Sequence, residues 1–488
     1  MKPAAWLSRT ASLLQPAMDT KTAAAPAAAS QAKPRGSPAA AAPRSTRERL
    51  KATLKRHDEA LSPRALRRTL LDLQGIIDPN VSEVEGGRRA EAVAAWYGKA
   101  TPEERRDCWL LMSEHFVADP RKAAAAQALY ASAIGTPDEA AAEVRLRRAT
   151  VSPRRRLLQR FSVFPNGIRF LVDMRAELLG HAKKDQRLQA LDVEMEYMFS
   201  TWFDVGFLDL RRISWDSPAS LLEKLIKYEA VHDIQSWADL KNRLDSDRRC
   251  YGFFHPRLPD EPLIFVEVAM MDEMADCVTP LLDEAAAPAD LNKATWAIFY
   301  SISNTQPGLR GVSFGDSLIK RVVDTLKEEL PKLRHFATLS PIPGFRAWVA
   351  KQLPQLLKDL DNKQREALRR VAGAGEIDPA AVLKLAEDPQ TLGEKSPVRQ
   401  LLLQWAAQYL VRGLADGKPI DPVARFHLGN GARVERLNWA ADPSGKGMKQ
   451  AYGLMVNYLY DLKRLDKHRG MLMKGMVPAS SEVQALLG

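Results

Sequence analysis

Cysteine is scarce in this chain, and its spacing indicates neither a metal site nor a disulfide framework. The 488 residues contain three cysteines, Cys108, Cys250 and Cys277, and no two of them form a CxxC pair. Zinc sites and disulfide-stapled folds need clustered or paired cysteines. We therefore expect no metal cofactor and a reducing compartment.

Long apolar runs are also missing. A membrane-spanning helix needs a predominantly apolar stretch of about 18 residues or more, and the sequence has no such stretch. We therefore expect no membrane partner.

Acidic residues are nearly absent from residues 1–46, where Asp19 stands alone among alanines, prolines and serines. Such a segment cannot bury enough apolar surface to offset the entropy of ordering, which predicts a disordered extension and a cytoplasmic protein. A basic, acid-poor start is also typical of a mitochondrial transit peptide, so a mitochondrial location stays open. The ending Leu486-Leu487-Gly488 is not the Ser-Lys-Leu peroxisomal address.

The net charge of +11 suits an anionic partner, which makes nucleic acid the first alternative to consider. However, the 71 basic residues are interspersed with 60 acidic ones, and no nucleic-acid-binding motif is present. We expect no nucleic-acid partner.

Residues 47–200 have helical periodicity and no strand-like alternation, so we predict a helical domain there. Prolines precede or open several of its segments, as is common in the first turn of a helix. Arg154, Arg155 and Arg156 are predicted to form a solvated surface. The segments with helical spacing are Leu66–Leu73, Glu91–Tyr97, Glu103–Val117, Ala123–Ile134 and Asp138–Leu146.

Strand patterns begin after about residue 201. After a predicted helix at Ala219–Ala230 come two predicted strands, Cys250–His255 and Glu261–Met271. In the second, Ile264, Val266, Val268 and Met270 form one apolar face, as expected for a strand packed on helices. His255 and Glu267 could form a base and its partner. A turn histidine and a paired strand carboxylate are the favoured alternative.

A glycine-rich turn from strand to helix is the most informative local feature. The predicted strand Trp296–Ile302 leads into a loop with Gly308, Gly311 and Gly315, and a second strand follows at Phe336–Leu339. Backbone N–H groups at the start of a helix suit a pyrophosphate, as in a nucleotide or coenzyme A. The spacing matches neither GxxxxGK[ST] nor GxGxxG, so a structural loop is an equal alternative. The apolar face of the helix comprises Leu318, Ile319, Val322, Val323, Leu326 and Leu330.

The rest of the chain is predicted to be a helical excursion at about 350–415, then a hairpin and a closing helix. Phe426–Leu428 and Val434–Trp439 flank Asn430-Gly431, and Asn-Gly is a strong hairpin signal. This pattern places His427 on a strand. The amphipathic spacing of Met448–Leu465 predicts the closing helix.

Four stretches of sequence, in the same order, resemble malonyl-CoA decarboxylase. They are FFHPRLPDEPLIFVEVA, FYSISNTQPGLRGVSFGDSLIKRVV, LSPIPGF and ARFHLGNGARVERLNWAAD. The resemblance, from about Trp202 to about Tyr460, implies an α+β fold with a helical N-terminal domain and a GNAT-like (acetyltransferase-like) mixed-sheet catalytic domain at 201–488. It also implies conversion of malonyl-CoA to acetyl-CoA and CO2 without metal, biotin or another cofactor, in a homo-oligomer, dimer or tetramer, formed through the helical domain.

The resemblance also implies the site residues. The active-site serine and histidine of the family match Ser340 and His427, with His427 as proton donor and Ser340 as the hydrogen-bonding proton acceptor. A family tyrosine matches Tyr460, which we expect to support the site. The coenzyme A segment matches Arg310, Gly311, Val312, Ser313, Phe314, Gly315 and Asp316.

Two other functions stay open at this stage. An acyl-CoA-dependent N-acyltransferase on the same fold would need an amine acceptor and usually a base. A non-catalytic scaffold that binds coenzyme A would keep the fold without turnover.

Overall fold

The N-terminal part of the computed structural model is helical, as predicted. The structure describes residues 50–51, 60–312, 318–372 and 379–488; the predicted extension at 1–46 lies outside them. Proline in the first turn and a side-chain cap start several helices, and Thr101 with Glu104 completes a capping box. The helices are Pro63–Ile76, Glu83–Lys99, Pro102–His115, Pro120–Ala133, Glu139–Thr150, Pro153–Phe161, Gly167–Ala182 and Gln189–Trp202.

A mixed sheet follows. Within the described residues it has eight strands in the order β1-β2-β3-β4-β5-β10-β6, with β9 paired to β10. Most neighbours are antiparallel, whereas β4 and β5 are parallel. The strands are β1 Asp209–Ile213, β2 Arg248–His255, β3 Leu258–Met271, β4 Trp296–Asn304, β5 His335–Thr338, β6 Ser340–Pro341, β9 Arg433–Asn438 and β10 Met455–Leu459, with a separate pair of β7 Leu414–Ala415 and β8 Lys418–Pro419.

Helices cover this sheet and complete the core. One apolar cluster runs without a break from the N-terminal helices into the sheet, so the two parts share buried surface. This arrangement confirms the predicted α+β class, and between β6 and β7 the chain forms the helices Phe345–Lys358, Asn362–Ala372, Pro379–Leu385 and Pro397–Val411. The helices are Ala219–Tyr228, Trp237–Arg243, Thr279–Leu282, Leu318–Glu329, Phe345–Lys358, Asn362–Ala372, Pro379–Leu385, Pro397–Val411, Pro422–Gly429, Gly445–Ala451, Leu465–Met473 and Ser481–Ala485. Among the described helices, none has the length and apolarity to cross a membrane.

Three local predictions are wrong. Arg154 is buried rather than solvated, because its guanidinium donates to the backbone carbonyls of Met112, Ser113 and Ala190. His427 lies in the helix Pro422–Gly429 and not on a strand before a hairpin.

The closing helix predicted at Met448–Leu465 is instead a short helix and a strand. The helix ends at Ala451, and the chain then turns through Tyr452 and Gly453, which both have positive φ. The strand β10 follows at Met455–Leu459.

Candidate active site

A split in the sheet creates the cavity of interest. Strands β4 and β5 pair from Trp296–His335 to Phe299–Thr338, and β4 then continues to Asn304 without that partner. A cavity of about 460 Å³ opens beside the unpaired part of β4. Its lining includes Phe299, Ser301, Ser340, Phe426, His427 and Asn430. Its size lies within the range of small-molecule sites.

Ser340 and His427 meet at the wall of this cavity. Ser340 Oγ lies 3.2 Å from His427 Nε2, and both side chains are buried. Ser340 is on β6, which pairs with β10, and its hydroxyl also donates to Thr338 Oγ1 at 2.8 Å. The two residues that the resemblance singles out, 87 positions apart, therefore form one hydrogen-bonded pair.

The helix that carries His427 is fixed at its start. Asp421 caps it by accepting from the backbone N–H groups of Val423 and Ala424, both at 2.9 Å, and Pro422 occupies the first turn. Burial raises the pKa of the Asp421 carboxyl. Tyr409 donates its hydroxyl to the same carboxylate at 3.3 Å, which ties the cap to the helix Pro397–Val411.

Two tyrosines hold the His427 ring: Tyr458 lies on β10, and Tyr460 is the residue directly after that strand. The Tyr460 hydroxyl lies 2.7 Å from Nδ1, and the Tyr458 ring stacks on the imidazole at 4.7 Å. Burial raises the pKa of Tyr460 far above its usual range, so its hydroxyl stays protonated. The Ser340 hydroxyl donates its one hydrogen to Thr338, so it accepts from Nε2–H of the neutral imidazole, and Nδ1 in turn accepts from the Tyr460 hydroxyl.

Burial lowers the pKa of His427 to about 3, because the low-dielectric surroundings disfavour the imidazolium. The imidazole of His427 is therefore neutral at pH 7. A carboxylate bound within a few ångströms of the ring would favour the charged form and raise its pKa. A bound anionic group would thus favour protonation of His427.

We predict that His427 makes the fold sensitive to acid. Its folded pKa of about 3 lies below the usual value of 6.5, so the unfolded chain binds the additional proton as the pH falls. Stability associated with this residue is unaffected above pH 6.5 and falls between pH 6.5 and 3, by about 2 kcal/mol at pH 5. Urea unfolding measures the free energy of unfolding at pH 7 and at pH 5. The decrease from pH 7 to pH 5 should be smaller for His427→Asn than for the unaltered chain. An equal loss in the two proteins would contradict the assignment.

The described part of the glycine-rich loop flanks the same cavity. Val312 and Leu318 contribute to the lining, Arg310 is exposed, and Gly311 has a φ of +84°, which favours glycine. The predicted residues Ser313, Phe314, Gly315 and Asp316 lie outside the described residues.

His255 and Glu267 do not form a catalytic pair. His255 ends β2 and accepts the backbone N–H of Arg257, as expected of a turn histidine. Glu267 pairs with Arg243 at 3.2 Å in the interior. Burial and the neighbouring Glu229 raise the pKa of Glu267 to about 8.

Sequence reasoning missed three parts of the site. Thr338, Tyr458 and Asp421 contact the site residues or cap their helix, yet no spacing pattern marks them. One local signal was available: Asp421-Pro422 is a typical helix start, and it indicates that Phe426–Leu428 continues a helix.

Comparison with known proteins gives one consistent family. Residues 206–488 match the family model of the malonyl-CoA decarboxylase C-terminal domain, and residues 116–203 match that of its N-terminal domain. The chain is 37% identical over 335 residues to the mitochondrial malonyl-CoA decarboxylase of Anser anser anser, which covers 66% of each sequence.

Solved structures agree with these matches. The malonyl-CoA decarboxylase of Cupriavidus metallidurans is 44% identical with a TM-score of 0.71, covering 87% of this chain and all of that one. The enzyme of Agrobacterium vitis is 40% identical with a TM-score of 0.76, covering 86% of this chain and all of that one.

Proposed function

Because the chain belongs to the malonyl-CoA decarboxylase family of carboxy-lyases, we propose that it converts malonyl-CoA to acetyl-CoA and CO2 where Ser340 meets His427. The observation that carries this proposal is the 3.2 Å contact between Ser340 Oγ and His427 Nε2 on the wall of the cavity. A hydroxyl and an imidazole in one buried cavity can bind a carboxylate and deliver a proton, which are the two tasks of the reaction.

Loss of CO2 breaks the bond between the carboxylate carbon and the α-carbon. The electron pair passes into the thioester as an enolate, so the thioester serves as the electron sink and the reaction requires no metal, biotin or flavin. A buried site with fixed donors stabilises the charge that develops on the thioester oxygen. One proton must then reach the α-carbon to give acetyl-CoA.

In our proposal His427 supplies this proton. Binding of the malonyl carboxylate raises the pKa of the imidazole, which takes up a proton and later transfers it from Nε2 to the α-carbon. Tyr460 holds Nδ1 and thereby directs Nε2 toward the cavity. Solvent restores the proton after each turnover.

Ser340 acts on the carboxylate. Its hydroxyl hydrogen-bonds the departing group and orients it out of the plane of the thioester carbonyl, as decarboxylation requires. Ser340 Oγ donates to Thr338 Oγ1, which also accepts from the backbone N–H of Tyr458, and in our proposal the Ser340 hydroxyl turns from Thr338 to the carboxylate when the substrate binds.

The loop Arg310–Asp316 is the proposed site for the coenzyme A phosphates. A glycine-rich loop that leads into a helix suits a pyrophosphate, and the exposed Arg310 can pair with a phosphate. We further propose a homo-oligomer assembled through the helical part and a cytoplasmic location, with a mitochondrial location if residues 1–46 are a transit peptide.

A single assay separates the candidate activities. Purified protein is incubated with malonyl-CoA and no amine, and CO2 and acetyl-CoA are measured. Stoichiometric release of both supports decarboxylation, whereas an N-acyltransferase would give no product without an acceptor. Binding of coenzyme A without turnover would favour the scaffold alternative.

A further inference from the structure

Arg175, on the helix Gly167–Ala182 of the N-terminal part, reaches the loop that precedes the proposed phosphate site. Its side chain is 1% exposed, and its guanidinium donates to Gly308 O at 2.8 Å and to Arg310 O at 2.9 Å. Asp192 and Glu196 accept from the same guanidinium at 2.8 and 3.2 Å. These four hydrogen bonds join the loop to two helices outside the sheet.

The loop also lies directly on that helix. A Cβ atom at Gly308 would come within 1.9 Å of the Val172 carbonyl oxygen, so only glycine allows this approach. The neighbouring Gln306 accepts from Arg169 Nη1 at 2.7 Å. The contact is therefore a close-packed interface, in which Arg175 is the central polar group.

The bond from Arg175 to Arg310 fixes the orientation of one peptide unit. In a trans peptide the C=O and the following N–H point in opposite directions. Because the Arg310 carbonyl points at Arg175, the N–H of Gly311 points away from the N-terminal helices. Among the described residues, no acceptor for this N–H is found. A free N–H held in this way can bind an anionic oxygen.

We infer that Arg175 is a positioning residue, which holds the loop so that the Gly311 N–H can bind a phosphate of the substrate. The helical N-terminal part then completes the substrate site. Since Ser340 and His427 are held by β6 and the helix Pro422–Gly429, the chemical step does not depend on this contact. This inference rests on the proposed role of the loop in coenzyme A binding.

The test compares malonyl-CoA with malonyl-pantetheine, a truncated thioester that lacks the phosphates. Lysine cannot reproduce the fork of guanidinium donors. Arg175→Lys should therefore lower kcat/KM for malonyl-CoA about 10- to 100-fold, mainly through a higher KM. The kcat/KM of the same variant for malonyl-pantetheine should fall less than about 3-fold. General damage to the fold would lower both values together.

Arg154→Lys is the matched control. Arg154 is also a buried arginine of the helical part that donates to backbone carbonyls, but it does not contact the loop. This variant should lower the melting temperature and leave the ratio of the two kcat/KM values unchanged. If it reproduces the selective loss, the inference is wrong.

If Arg175→Lys does not fold, Gly308→Ala tests the same contact from the loop side. Its methyl group must displace the loop from Val172, so the same selective loss is expected. Equal losses for both substrates, or no loss for either, would overturn the inference. Absence of malonyl-CoA turnover in the unaltered protein would instead contradict the proposed function.

Discussion

Replacing His427 with alanine is expected to lower kcat for malonyl-CoA decarboxylation by roughly 10²–10⁴-fold, the range usual for loss of a general acid or base. The variant leaves the enolate without its proposed proton donor. The KM should change little, since the proposed site for the coenzyme A phosphates is the loop Arg310–Asp316 and not His427. Steady-state acetyl-CoA formation, measured alongside the affinity for coenzyme A, checks both expectations.

His255→Ala is a suitable control for this experiment. His255 is also largely buried, with its ring against Phe203, but it lies at the end of β2 and does not line the cavity. Loss of a buried imidazole there should affect stability more than kcat. Near-normal turnover in His427→Ala, or an equal loss of kcat in the control, would show that His427 is not the proton donor.

Regular patterns allowed the strands β2, β3, β4, β5 and β9 and many of the helices to be predicted. The alternation in Glu261–Met271 identified β3, and the spacing after the glycine-rich loop identified the helix Leu318–Glu329. These elements are long and have one apolar face, so their local pattern and their tertiary packing agree.

The Asn430-Gly431 pair shows why the structure around His427 could not be predicted in the same way. A hairpin turn of this type needs positive φ at both residues. In the structure Asn430 has a φ of −81° and Gly431 a φ of +87°, which is the arrangement of a helix end followed by a left-handed residue. The same dipeptide occurs in both kinds of turn, and the preceding segment Phe426–Leu428 is too short to separate strand from helix.

The helix predicted at Met448–Leu465 failed for a related reason. Its apolar residues have helical spacing, but Gly453 allows the chain to reverse, and the segment after it pairs with β9. Pairing in the sheet outweighs a weak local preference. The proximity of Ser340 to His427 is a further long-range contact, which the motifs implied but no spacing rule could show.

Replacing Ser340 with alanine is the second change with a large expected effect. It removes the hydroxyl that faces His427 Nε2 and leaves the backbone pairing of β6 with β10 in place. Loss of one preorganised donor at a reacting group typically lowers kcat by about 10²–10³-fold. We therefore expect a loss of this size in kcat, with little change in the melting temperature or in coenzyme A affinity.

Ser303→Ala and a double variant complete the test. Ser303 is buried on β4, where it shares Glu229 with Ser301, and it does not line the cavity. Its replacement should leave kcat within about 3-fold of the value for the unaltered protein.

If Ser340 and His427 act on one carboxylate, the double variant Ser340→Ala/His427→Ala should lose little more activity than His427→Ala alone. The effects of residues that act as a unit are not additive. Losses that multiply would mean that the two side chains act in separate steps, and full activity in Ser340→Ala would exclude its role.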